Sequence, residues 1–268
     1  AVRPKRPPAR SAILILSLVC LLGGCALLKP PAPAPEAPPE EKASQGATYH
    51  YSLGILLALD GRNDEAIREM ETAMKFDPYT PAITLELAPL YLEKGDVDKA
   101  VALSEKTLLR HPDDVDLLML SGGLYLHLKD AKNALRRYRR VIELDPRNET
   151  AYLYLGTIYA DNHRYDKALE YFQKLIEMNP EQPMANYYLA KVRMDMGLLA
   201  EAEAGFKQTL ALKPSWEAAL LDLGGLYERQ RRTDQAVKLY RDFLAAYPNR
   251  SNVRLRLGQL YMREQKFD

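Results

Sequence analysis

The segment from residue 149 to residue 180, ETAYLYLGTIYADNHRYDKALEYFQKLIEMNP, decides the fold of this chain. Apolar residues recur in it every three to four positions, which is the spacing of amphipathic helices, and no strand-like alternation appears. Pro180 closes the segment, and proline cannot continue a helix because it lacks a backbone N–H and clashes with the preceding turn. The segment therefore predicts two helices joined by a short turn.

The same features return along the chain every 34 residues, in three independent series. The prolines are Pro78, Pro112, Pro146, Pro180, Pro214 and Pro248. The small residues are Gly54, Ala88, Gly122, Gly156, Ala190, Gly224 and Gly258, and the alanines are Ala66, Ala100, Ala134, Ala168, Ala202 and Ala236. No single helix pair can bury its apolar face alone, so stacking of neighbouring pairs must form the core.

This pattern resembles the tetratricopeptide repeat family, whose aromatic, Leu-Gly, Tyr, Ala, Phe and Pro positions are matched by Tyr152, Leu155, Gly156, Tyr159, Ala168, Phe172 and Pro180. The resemblance implies an all-α fold, an α-solenoid of helix-turn-helix units in a right-handed superhelix, over residues 47–268. Six full units begin at Ala47, Pro81, Val115, Glu149, Pro183 and Glu217, and a truncated seventh begins at Ser251. Position 1 of each unit is its first residue. Because unit seven stops where its second helix should begin, we expect more repeats after residue 268. A catalytic domain in that place is the alternative.

The N-terminus predicts a signal peptide of the bacterial lipoprotein type over residues 1–24. Basic residues precede an apolar run from Ala12 to Leu22, and Gly23 and Gly24 then lead to Cys25. Cys20 does not fit, because bulky Val19 precedes it. The resemblance to lipoproteins implies that Cys25 carries lipid and, since Ala26 rather than Asp follows, that the chain is anchored in the outer membrane facing the periplasm. A single inner-membrane span over residues 12–28 is the alternative, at the short limit of the length that a span needs.

Residues 25–46 are predicted to be a linker between the lipidated cysteine and the folded body. Six prolines lie between residues 30 and 39, and proline-rich chains favour the extended polyproline II conformation. Within the body, Pro89 lies inside the first helix of unit two, where we expect a kink.

Composition excludes several classes of function. Lys plus Arg number 37 and Asp plus Glu number 36, so the chain has no basic field for nucleic acid. Arg136, Arg137, Arg139 and Arg140 cluster on one second helix, which we interpret as a solvated outer face. The four histidines lie in different units and both cysteines precede the repeats, which indicates no metal site, and no catalytic or cofactor-binding motif is present. We therefore expect no enzymatic activity, no cofactor and no small-molecule substrate.

The first helices are expected to line a concave groove, with unit positions 2, 5, 9 and 12 facing it. These positions are mostly apolar, which favours an extended or helical protein segment with hydrophobic anchors as the partner. The predicted groove residues are Met119, Leu153, Tyr154, Met184, Tyr187, Tyr188, Lys191 and Met194. Aromatic and Met residues at helical spacing also occur in cores, so packing between units is an equal alternative for several of them.

Together these patterns predict a non-enzymatic, lipid-anchored scaffold that binds proteins and helps to assemble or stabilise a complex of the bacterial cell envelope. The architecture is similar to that of pilotin lipoproteins, which help an outer-membrane secretin to assemble. A polysaccharide-export scaffold fits the same pattern.

Overall fold

The computed structural model describes residues 39–264, with side chains from residue 44 onward, and every regular element in that range is an α-helix. The first helices of the units are α1 (Pro39–Leu59), α3 (Pro81–Lys94), α5 (Val115–His127), α7 (Glu149–Asp161), α9 (Pro183–Asp195), α11 (Glu217–Arg229) and α13 (Ser251–Arg263). The second helices are α2 (Asn63–Phe76), α4 (Val97–Leu108), α6 (Ala131–Leu144), α8 (Tyr165–Met178), α10 (Leu199–Leu212) and α12 (Thr233–Ala246). Each helix packs against its neighbours in sequence, so the body is an all-α solenoid.

Six of the first helices, α3 to α13, begin at the residues where the repeat pattern places the start of a unit. Helix α1 differs, because it begins at Pro39, eight residues before Ala47. The end of the predicted linker is therefore helical. Proline is tolerated at the first position of a helix, where its missing N–H would have had no intrahelical partner. The predicted signal peptide, Cys25 and the rest of the linker lie outside the described residues.

The turn inside each unit uses one residue with a left-handed backbone at unit position 15. Glycine takes this position in three units and a larger residue in the other three: Gly61, Gly95, Lys129, His163, Gly197 and Arg231 all have φ between 55° and 89°. The N–H of the following residue, at position 16, then donates to the carbonyl at position 11. In unit two, for example, the Asp96 nitrogen lies 2.8 Å from the Tyr91 oxygen. This arrangement closes a helix by satisfying its last carbonyls.

Small residues let the two helices of a unit approach closely. The alanines of unit position 20 are fully buried. A methyl group added at Gly156 would lie 2.5 Å from the ring of Phe172, at unit position 24, and one at Gly122 would lie 2.7 Å from the ring of Tyr138. The side chain at position 24 thus occupies the space that the missing methyl group leaves.

Pro89 does not interrupt α3, which runs through it to Lys94. At the other end of the described chain, a methyl group added at Gly258 of α13 would meet nothing within 4 Å.

Among residues 39–264, none of the helices combines the length and the apolar character that crossing a bilayer requires.

Candidate partner-binding cleft

A cleft of about 560 Å³ opens on the side of the solenoid formed by the first helices of units two, three and four. We call it the central cleft. Its lining comes from α3, α5 and α7, with one residue of α6: Pro89, Leu92, Met119, Leu120, Gly123, Leu124, Leu126, His127, Tyr138, Thr150 and Tyr154. Two of the predicted groove residues, Met119 and Tyr154, are therefore in one site.

Most of the central cleft is apolar, and two of its residues lack a group that other residues have. Pro89 has no N–H, and Gly123 is exposed with no side chain. A methyl group added at Gly123 would lie no closer than 3.9 Å to any neighbour, so this glycine is not required by packing. The cleft can therefore admit an apolar group close to the main chain of α5.

Two stacked tyrosine rings form the end of the central cleft near α7. The rings of Tyr138 and Tyr154 lie 4.9 Å apart, centre to centre, at an interplanar angle of 15°. Tyr138 is fully buried, whereas Tyr154 is 38% exposed. Burial raises the pKa of the Tyr138 hydroxyl, so the group is protonated at neutral pH and can donate a hydrogen bond.

The remaining predicted groove residues lie further along α7 and α9. Met184 is exposed and Leu153 is half-buried. Met194 is half-buried against the core of units five and six. The ammonium group of Lys191 lies 5.7 Å from the centre of the Tyr187 ring.

Tyr187 is a correction to the predicted groove, because its side chain is only 8% exposed. Its ring stacks on Trp216 at 5.1 Å, and its hydroxyl donates to Asp222 Oδ2 at 2.9 Å. Tyr188 is half-buried and stacks on Phe172 at 5.8 Å. Tyr187 therefore joins units five and six, which is the packing alternative that the sequence pattern left open.

Sequence reasoning missed several residues of the cleft, among them Tyr138 and His127. The pattern assigned unit position 24 to packing, and Tyr138 does pack there, but its ring also reaches the cleft. The second glycine of Gly122-Gly123 is no distinguishing signal, because Gly225 takes the same position in unit six.

Two of the four arginines in the α6 cluster form ion pairs. Arg137 pairs with Glu105, and Arg140 pairs with Asp113 at 2.6 Å and with Glu143 at 2.8 Å. Arg139 donates to the hydroxyl of Tyr159. Within residues 39–264, no group of His, Cys, Asp and Glu is arranged to hold a metal ion.

Comparison with protein-family models matches most of the described chain. Three models, each of the tetratricopeptide repeat, match residues 57–122 and 159–223, residues 130–183, and residues 217–260. No curated protein matches the sequence.

Solved structures similar to this chain are also repeat proteins of this kind. A tetratricopeptide repeat protein from Parabacteroides merdae is 19% identical with a TM-score of 0.70, over 83% of this chain and 88% of that one. MamA from Desulfovibrio magneticus is 22% identical with a TM-score of 0.59, over 64% and 97%. YrrB, described as a TPR protein with an unusual peptide-binding site, is 21% identical with a TM-score of 0.57, over 69% and 97%. At these identities the likeness shows the fold.

Proposed function

This chain belongs to the tetratricopeptide repeat family, and from that premise we propose that it is a non-enzymatic scaffold that binds a segment of another polypeptide in the central cleft. We further propose that lipid on Cys25 anchors it to the outer membrane of a bacterium, where it serves the assembly or stability of an envelope complex. Membership of this family supports a role as an interaction scaffold, so protein binding is the general part of the proposal. The lipid anchor is the more specific part.

The central cleft is the observation that carries the binding proposal. Its exposed or half-buried apolar side chains, including Met119, Leu126 and Tyr154, come from three consecutive units. Tyr and Met make adaptable contacts of high energy at protein interfaces. YrrB, which shares this fold, has a peptide-binding site, and that supports the same use of the fold in this chain.

Site-specific photo-cross-linking in living cells tests the binding proposal. A photoreactive phenylalanine analogue replaces Met119 or Tyr154 in the cleft, or Lys132 on α6 as the control, since Lys132 is exposed on a second helix. We expect positions 119 and 154 to form adducts with the same polypeptide and position 132 to form none with it.

The identity of the cross-linked polypeptide then decides the envelope part of the proposal. A component of an outer-membrane secretin or of a polysaccharide-export complex supports it. Equal adducts from position 132, or none from the cleft, would show that the cleft is not the binding surface.

Metabolic labelling with radioactive palmitate tests the anchor. The sequence Leu22-Gly23-Gly24-Cys25 supports lipidation at Cys25, and Cys20 offers a matched control five residues earlier. We expect Cys25→Ala to lose the label and Cys20→Ala to keep it. Label that persists in Cys25→Ala would leave the membrane-span alternative, and fractionation of inner and outer membranes would then locate the protein.

A further inference from the structure

The hydroxyl of Tyr138 has no hydrogen-bond partner, although its side chain is fully buried. An unpaired buried hydroxyl costs free energy, since water no longer hydrates it and no protein group replaces that water. Buried polar groups of native proteins are nearly always paired, so this group requires an explanation.

Unit six shows how the same hydroxyl is satisfied elsewhere in this chain. Tyr240 takes the equivalent position, 102 residues later, and its hydroxyl donates to Glu228 Oε1 at 3.1 Å. The equivalent of Glu228 in unit three is Leu126, which has no acceptor to offer. The Tyr240 hydroxyl of unit six therefore has a hydrogen-bond acceptor, and the Tyr138 hydroxyl of unit three has none.

The unpaired hydroxyl lies at the central cleft. Tyr138 is part of the lining, and its oxygen lies 3.9 Å from the place where a methyl group on Gly123 would stand. The ring of Tyr154 stacks against the Tyr138 ring and is 38% exposed. Exposed side chains change rotamer within nanoseconds, so a ligand in the cleft can displace Tyr154 and reach the hydroxyl.

The three first helices that line the cleft are acidic, whereas the Lys and Arg side chains of α6 line a separate pocket or, for Arg137, pair with Glu105. Together α3, α5 and α7 carry five carboxylates and one Lys or Arg. Three of the carboxylates, Glu86, Asp116 and Asp161, lie at unit positions 6, 2 and 13. The same positions hold the cleft residues Tyr154 and Thr150 in unit four and His127 in unit three. None of these three makes an ion pair within the described residues. The cleft thus combines an apolar lining with a negative surround, which attracts cationic partners.

We propose that the central cleft binds an extended, apolar polypeptide segment flanked by Lys or Arg, and that the Tyr138 hydroxyl donates a hydrogen bond to a main-chain carbonyl of that segment. This inference rests on the function proposed above and names the chemistry of the partner. An extended segment fits better than a helix because the carbonyls of a helix already accept hydrogen bonds within it.

Peptide binding to the purified protein tests the proposal. The probes are fluorescent twelve-residue peptides from a pooled library, with a randomised apolar centre and flanks of either Lys or Glu, measured by fluorescence polarisation. We expect the Lys-flanked pool to bind and the Glu-flanked pool to bind at least tenfold more weakly at low salt, with the difference shrinking as salt is added.

Tyr138→Phe removes the hydroxyl and keeps the ring. We expect it to weaken the best peptide about five- to tenfold, the effect of one lost hydrogen bond, and to leave thermal stability unchanged or higher. Tyr240→Phe is the matched control, since it removes a hydroxyl that is already paired with Glu228. It should lower thermal stability and leave peptide affinity unchanged.

The carbonyl is identified by replacing single amides of the best peptide with esters, because the ester carbonyl is a weaker acceptor. One ester should weaken binding to the wild type and have no effect on Tyr138→Phe, which is the signature of a shared interaction.

Equal binding of that peptide to the wild type and Tyr138→Phe would overturn the hydrogen bond, and a buried water would then be the partner of the hydroxyl. Stronger binding of the Glu-flanked pool would overturn the basic flanks. If no peptide binds, the inference fails, while the cross-links at positions 119 and 154 still decide the proposed function.

Discussion

Units three and six carry the same four residues at the same place, Gly-Gly-Leu-Tyr at 122–125 and at 224–227, yet the first set lies at an apolar cleft and the second beside a network of ion pairs and hydrogen bonds. In unit six, Glu228 accepts from Tyr240 and pairs with Arg256 at 2.9 Å and Arg263 at 3.3 Å. Arg256 also lines a smaller pocket of about 290 Å³. In unit three, the equivalents of Glu228 and Arg256 are Leu126 and Tyr154, both of which line the central cleft, so the two regions differ in the chemistry of their lining.

Two substitutions at equivalent positions therefore distinguish the two regions, while the backbone of the repeat stays the same. The carboxylate of Glu228 is 6% exposed, so it fills the space and joins unit six to unit seven. Leu126 and Tyr154 make no ion pair; Tyr154 joins unit four to unit three by stacking on Tyr138, and the pair leaves an apolar surface. The lesson is that the packing positions of the repeat determine the solenoid, and the groove positions determine where it is open.

The largest expected effect tests the packing positions of unit six. A methyl group at Gly224 would collide with the ring of Tyr240, whereas one at Gly225 would meet nothing within 4 Å. Gly224→Ala should lower the free energy of unfolding by about 3 kcal/mol through overpacking. Gly225→Ala should raise it by about 0.5–1 kcal/mol, since alanine favours the helix over glycine.

Urea unfolding of both variants measures these changes. The pair in unit three, Gly122→Ala and Gly123→Ala, should show the same contrast, because Gly122 meets Tyr138 at 2.7 Å and Gly123 meets it only at 3.9 Å. Equal effects at the first and second glycine would contradict the assignment of only the first to packing.

The 34-residue period was sufficient to predict the packing positions that all units share. It predicted the starts of six first helices, the buried alanines and the small residue at position 8, because each is required by the contact between two helices in every unit. The early start of α1 at Pro39 was not predicted, since proline in the linker argued against a helix there.

The repeat period could not predict which of the groove residues line an open cleft and which are buried. Met119 and Tyr187 share unit position 5, but only Met119 lines a cleft. Tyr187 is buried because Trp216 stacks on it from the turn before unit six and Asp222 accepts its hydroxyl. Periodicity gives the face on which a residue lies, and its neighbours in the next unit decide how deeply it is buried.

The second prediction concerns a variant that gives unit six the apolar residue found in unit three. Glu228→Leu removes the acceptor of the buried Tyr240 hydroxyl and the carboxylate between two arginines. We expect the free energy of unfolding to fall by about 2 kcal/mol, the cost of an unpaired buried group with charged partners. Thermal and urea unfolding measure the loss.

The reciprocal variant sharpens the comparison. Leu126→Glu together with Tyr154→Arg places the unit-six pair in unit three, where the carboxylate can accept from Tyr138. We expect this double variant to lose peptide binding at the central cleft and to keep its helical circular dichroism. Retained peptide affinity would mean that the partner does not enter the cleft.

The smallest expected effect is the pH dependence that Glu203 contributes to stability. Glu203 of α10 accepts hydrogen bonds from Arg232 and Tyr227 and pairs with Lys207, and these contacts lower its pKa to about 2, with the hydrogen bond from Arg232 as the largest cause. An unfolded glutamate has a pKa of about 4.3. As the pH falls, the unfolded chain therefore takes up the proton first, so the stability from this group is complete above that value and is lost between it and about pH 2.

Trp216, the single tryptophan of the chain, reports on this region because it packs between units five and six. Glu203→Gln should unfold at lower urea than the wild type at pH 7, with a free energy of unfolding lower by about 1 kcal/mol. That gap should stay constant down to about pH 5 and close toward pH 2. A gap of the same size at pH 2 would mean that Glu203 acts by packing alone. In that case the contacts of Glu203 with Arg232 and Lys207 would add nothing to stability.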